Sequence, residues 1–123
     1  MGASELKPNI IRDKSFVFAL KIIHLSMTLK KENNFEIASQ VLRSGTSIGA
    51  NVEEAQAAQS KRDFVSKIAI SSKEARETKY WLRLIKESKI SNNNIDELIN
   101  ECEDLVNILT RIVKTSTGNI QHS

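Results

Sequence analysis

The sequence predicts an all-α fold, an antiparallel up-down-up-down four-helix bundle forming one domain over residues 1–123, and three observations predict it. Four stretches repeat apolar residues in steps of three and four, the spacing that lines one face of a helix. Only one Pro and four Gly occur in 123 residues, which disfavours a turn-rich β protein. Short polar runs with cap signatures separate the stretches, and loops that short return the chain beside the helix it has just left.

The first helix is expected over residues 13–31. Phe18, Ile22, Leu25 and Leu29 form one stripe and Phe16, Leu20, Ile23 and Met27 a second beside it, so the helix is apolar over an unusually wide arc. Asp13 is placed to cap it, and the polar run from Lys30 to Asn34 to end it. The second helix is expected over residues 34–58, opened by the capping-box spacing of Asn33 and Glu36, with Ile37, Val41, Ile48, Val52 and Ala55 on its apolar face. Gly45 and Gly49 interrupt it at about 1 kcal/mol each relative to Ala. Their four-residue spacing points either to close packing against a neighbouring backbone or to a bend. Leu at either position is expected to be costly and Ala milder.

The third helix is expected over residues 61–88, with Ser60 and Asp63 repeating the cap signature. Its seam runs Phe64, Ile68, Ser71, Ala75, Thr78, Leu82 and Ile85, small enough in places for tight packing. The fourth is expected over residues 95–116, capped by Asn94 with Glu97 and carrying Ile95, Leu98, Cys102, Leu105, Leu109 and Ile112. Ile99, Val106 and Val113 widen that face as the second stripe widens the first helix, and self-association would bury the excess. Residues 116–123 are polar and expected to fray.

Charge alternates along the chain. Six basic and two acidic residues give +4 over residues 1–31, one and four give −3 over 32–60, nine and four give +5 over 61–89, and two and five give −3 over 90–123. Helices of opposite sign attract one another or present different surfaces to partners. No apolar run approaches the 18 or so residues of a membrane span, the first residues lack the apolar segment of a signal peptide, and Leu6 stands where a myristoylation signal needs Ser or Thr. A cytoplasmic protein without membrane contact is expected. Cys102 is the only cysteine, so no internal disulfide forms.

Chemistry-bearing motifs are scarce. The chain has no GxGxxG, P-loop, HExxH or paired cysteines, and the Glu-x-x-His motif of di-iron bundles is missing, so no metal, no cofactor and no catalytic residue is expected. His24 has no neighbouring ligands, and Cys102 falls on an apolar stripe, where a thiol acts as a small hydrophobe. Arg43, Ser47, Asn51 and Glu54 share one side of the second helix, and Glu74, Glu77 and Trp81 share a stripe of the third. Read together they form a polar network in which Arg43 and Asn51 satisfy carboxylates and fix helix register, the alternatives being a plain solvated face or an acid–base pair of Glu54 with a carboxylate of the third helix. Arg76, Lys79, Arg83 and Lys86 form a basic row on the third helix, with Lys61, Arg62, Lys67, Lys73 and Lys89 nearby, and such a row can track phosphates. Tyr80 and Trp81 offer faces for base stacking, although helix aromatics are commonly core. Pairing of Arg76 or Arg83 with Glu74, Glu77 or Glu87 would neutralise the row from within.

The run LRSGTSIGANVEEAQAAQ from Leu42 to Gln59, KEARETKYWLRLIKES from Lys73 to Ser88 and RDKSFVFALKI from Arg12 to Ile22 resemble the bacterial four-helix bundle family named after the 23S rRNA intervening-sequence protein. The resemblance implies a ring-like homopentamer and no particular activity. Accessory proteins of diversity-generating retroelements, a related branch, are similar in fold, pentameric and basic, and bind a reverse transcriptase and nucleic acid. Arg43, Ser47, Asn51, Glu54, Glu74, Glu77, Tyr80 and Trp81 match family positions and are read as supports of the bundle or its subunit contacts. The expected function is a non-catalytic oligomeric adaptor for RNA, DNA or a nucleic-acid-handling protein. The alternative is a homo-oligomer that binds only protein.

Overall fold

Apolar stripes from four helices meet along one axis: α1 (Ala3–Lys31), α2 (Phe35–Gln56), α3 (Lys61–Ser88) and α4 (Ile95–His122). The computed structural model describes the backbone of residues 3–91 and 95–122 and the side chains of residues 10–91 and 95–118, and no strand occurs among them. Each helix packs broadly on the next in sequence, whereas α1 and α4 close the bundle through a much smaller contact. Neighbours run antiparallel: along the α1–α2 seam, Ser15 lies beside Gly49, Ile22 beside Gly45, and Ser26 reaches the Ala38 carbonyl.

The core takes Phe18, Ile22, Leu25 and Leu29 from α1, Val41, Ile48 and Val52 from α2, Ile68, Leu82 and Ile85 from α3, and Leu98, Leu105 and Leu109 from α4. Burial of each such side chain stabilises by about 1.5–3 kcal/mol. Small polar residues line the closest approaches, and each finds a partner. Ser44 and Thr78 hydrogen-bond at 2.8 Å, Ser71 donates to the Ile48 carbonyl at 2.8 Å, and the Cys102 thiol lies 3.2 Å from the Ala75 carbonyl. A Cβ at Gly45 would come within 2.7 Å of Ile22 Cγ2, and one at Gly49 within 3.3 Å of Ser15 Oγ and 3.4 Å of the Ser15 carbonyl.

Several helix ends differ from the sequence reading. Helix α1 starts at Ala3, so Asp13 lies in its interior and caps nothing. The helix-competent residues Glu5, Leu6 and Lys7 carry the backbone on ahead of the first apolar stripe. Asn33 and Glu36 form no capping box. Asn33 instead adopts φ 66° and terminates α1, with its amide on the Lys30 carbonyl at 3.0 Å and the Asn34 amide on the Leu29 carbonyl at 2.8 Å. Closing a helix this way requires a left-handed residue, which Asn tolerates. The N-cap of α2 is then Asn34, whose side chain makes no cap bond. At α3, Ser60 Oγ accepts from the Asp63 amide at 3.0 Å. Asn94 lies outside the described residues. Helix α4 runs to His122, past the expected end at residue 116.

The two apolar stripes of α1 are not side by side. Their offset of two residues rotates one from the other by about 200°. One stripe fills the core, and Phe16, Leu20, Ile23 and Met27 point outward, with Phe16 65% and Met27 53% exposed. On α4 the widening residues lie one position from the core stripe, about 100° away, and pack inward: Val106 is buried, and Ile99 and Val113 lie half-buried against the core. Surplus apolar surface therefore belongs to α1 and not to α4. No helix among the described residues is long and apolar enough to cross a membrane.

Candidate nucleic-acid interface

Helix α3 buries one face, which leaves its many cations along its flanks and outer side. Those on the α4 side are met by groups that α4 supplies. Lys86 pairs with Asp96 at 2.7 Å, Lys79 pairs with Glu103 at 3.1 Å, and Arg76 Nη2 donates to Thr110 Oγ1 at 3.0 Å. On the α2 side Lys67 pairs with Glu54 at 3.1 Å. The hydrogen bond to Asp96, followed by that carboxylate's charge, holds the Lys86 ammonium above its ordinary pKa of 10.5. Both partners are well exposed, so this raises stability little.

The basic row is therefore divided. Lys79 and Lys86 are neutralised, but by α4 and not by their own helix. Lys61, Arg62, Lys73 and Arg83 are exposed without an ion-pair partner among the described residues, and Arg76 contacts a hydroxyl rather than a carboxylate. The pairings anticipated with Glu74, Glu77 and Glu87 do not form on Arg76 or Arg83. Opposite signs on the third and fourth helices were expected, but these counter-charges on α4 were not matched to individual lysines of the row. Their signal was present: all five acids after residue 90 lie between Asp96 and Asp104, opposite the second half of α3.

The polar stripes assemble only in part. Arg43 donates to Glu74 at 3.3 Å and to Glu77, and Trp81 Nε1 donates to the same Glu77 oxygen at 3.0 Å. Glu74 is the more buried of the two carboxylates in this cluster, which ties α2 to α3. Asn51 does not join it. Its Nδ2 donates to the Ser47 carbonyl at 2.9 Å and lies 3.2 Å from Ser47 Oγ, both on its own helix, while Glu54 turns to Lys67. Asn51 therefore satisfies no carboxylate. Tyr80 stands edge-on to Trp81 with ring centroids 5.2 Å apart and is 55% exposed, whereas Trp81 is half-buried against the core.

His24 is exposed on α1. Cys102 is fully buried, and burial pushes its thiol up to about 12, which suppresses the thiolate a nucleophile requires. No cluster of three or more His, Cys, Asp or Glu side chains able to hold a metal occurs among the described residues.

Fold and surface together define an all-α bundle whose polar groups are spent on joining helices and on an exposed cationic flank. The chain belongs to the 23S rRNA-intervening sequence protein family, whose profile matches residues 7–111. It is also similar to a crystal structure from Bacteroides thetaiotaomicron described as a protein with unknown function from the S23 ribosomal protein family. The two are 41% identical, the match covers 88% of this chain and 98% of that one, and the TM-score is 0.83. No curated protein matches the chain.

Proposed function

We propose that this protein is a non-catalytic, cytoplasmic homo-oligomeric adaptor, a pentamer as the family resemblance implies, that binds structured nucleic acid on the outward face of α3. One observation carries the nucleic-acid reading. After the pairs to α2 and α4 are subtracted, Lys61, Arg62, Lys73 and Arg83 keep their charge exposed, against Asp63 and Glu87 as the acids of the same stretch without an ion-pair partner among the described residues. Assembly follows from the outward stripe of α1, because apolar residues on opposite faces of a helix call for burial on both. Symmetry then repeats the cationic face, and several modest patches engaged at once gain avidity that one lacks. Affinity falls steeply with salt and depends weakly on sequence.

A second reading, an oligomer that binds only protein, draws on the neutralised half of the row and on exposed Tyr80 and Leu84 near it. Electrophoretic mobility shifts with structured RNA, single-stranded RNA and duplex DNA, at low and physiological salt, separate the two. A shift that Lys73→Glu with Arg83→Glu removes supports the adaptor. Failure of all three nucleic acids to shift at physiological salt leaves the protein-binding oligomer.

A further inference from the structure

The seam between α3 and α4 changes character along its length. Near the start of α4, acids face the lysines of α3: Asp96 takes Lys86 and Glu103 takes Lys79. No acidic residue follows Asp104, so the remainder of α4 has only Arg111 and Lys114 as lysine or arginine charges. Small side chains coincide with this loss of counter-charge. Ala69 and Ser72 of α3 face Thr110, Thr117 and Gly118 of α4, and a cleft of about 520 Å³ opens there. Arg76 and Lys114 are its charged lining residues, and no carboxylate lines it.

The hydroxyl chemistry of the cleft is also distinctive. Thr28, Thr46 and Thr78 each donate to the carbonyl four residues back on their own helix. Thr110 has no such bond among the described residues and accepts from Arg76, so its proton stays available to an acceptor in the cleft. Arg76 spends one N–H on Thr110, and Lys114 has no ion-pair partner among the described residues. A guanidinium fork, an ammonium and a free hydroxyl proton around a concavity without carboxylates form a donor set suited to a phosphate oxyanion.

We infer that the α3–α4 cleft seats a backbone phosphate of the bound nucleic acid, held by Arg76 and Lys114 with Thr110 as a further donor. This inference rests on the nucleic-acid reading above and adds to it a fixed contact away from the outward face of α3.

The test measures anisotropy of a labelled structured RNA with the full chain over a salt series. It compares wild type with Arg76→Gln plus Lys114→Gln, Lys114→Gln alone, and Lys30→Gln plus Lys31→Gln as a charge-matched control at the other end of the bundle. Loss of this phosphate contact should weaken binding by at least about tenfold and reduce the slope of log K against log salt by about 0.7 to 0.9, with the control close to wild type. The single Lys114 variant should show a smaller change of slope in the same direction, which protects the test if the double variant is poorly folded. If wild type binds neither RNA nor DNA, the nucleic-acid reading itself fails. If wild type binds and both cleft variants match it, only the cleft assignment is overturned. NMR titration with inorganic phosphate distinguishes the remaining source: perturbation at Thr110 together with unchanged RNA affinity in the variants marks a small-anion site and also overturns the inference.

Discussion

Gly45 and Gly49 are four residues apart on α2 and meet different neighbours, so they should respond differently to one methyl group. A Cβ at Gly45 meets Ile22, a β-branched core side chain with little freedom to move, at 2.7 Å. Gly45→Ala should therefore destabilise by about 1–3 kcal/mol despite its better helix propensity. At Gly49 the contacts of 3.3–3.4 Å to Ser15 need only a slight adjustment, and the propensity gain of about 1 kcal/mol offsets it. Gly49→Ala should be near neutral in urea denaturation, and equal losses at both sites would contradict this account. The glycine spacing made a close approach legible in the sequence, but which residue stands opposite is a property of register between helices, and spacing within one helix does not carry it. Asn51 illustrates the same gap. Its position on the polar stripe was legible, whereas its use of the Ser47 carbonyl was not, since a side-chain amide can bond its own helix as readily as a neighbour.

Among helices, the alternation of charge along the sequence becomes the pattern of ion pairs. Arg12 to Glu53, Lys14 to Asp104, Lys21 to Glu97 and Glu101, Lys67 to Glu54, Lys79 to Glu103 and Lys86 to Asp96 all run from a basic first or third helix to an acidic second or fourth. Arg43 with Glu74 and Glu77 is the reverse case among the described residues. Helix existence, the core stripes and this charge matching were thus readable from the chain. Helix ends were readable in part: α3 runs Lys61–Ser88 as its cap signature implied, but the cap before α2 was not, because Asn33 serves equally well as a cap of the next helix or as the left-handed terminator of the previous one. Lys21 offers a test at this scale. Its hydrogen bond to Glu101 at 2.7 Å is the main cause that lifts its pKa above the ordinary 10.5, ahead of the opposing cost of burial. A group raised in the folded state contributes fully below its unfolded pKa and loses that contribution as pH rises through the folded value. Thermal stability should fall as pH rises through and above the ordinary lysine value of 10.5, and Lys21→Met should flatten part of that fall. The buried thiol of Cys102, pushed up to about 12, acts in the same direction, so Cys102→Ala should flatten another part. A pH profile identical for wild type and Lys21→Met would show that the α1–α4 bridge contributes nothing measurable.

At the scale of the whole molecule, the outward stripe of α1 is the feature a lone subunit accommodates least well. Light scattering should give a wild-type mass that is a multiple of 13.8 kDa at micromolar concentration. Leu20→Glu with Met27→Glu should return it to that single value with helical circular dichroism intact, because both side chains lie opposite the core. A wild-type monomer would remove the assembly argument. The small contact between α1 and α4 bears on a different property, the route by which the chain reaches its fold. Almost all of the packing joins helices adjacent in sequence, so little loop entropy has to be spent before native contacts begin to form. Such a topology places the subunit among fast folders, on the order of microseconds to milliseconds. On that timescale each copy would finish its own bundle before diffusion brought it a second one, so the proposed assembly should proceed by docking of finished subunits rather than by mutual folding.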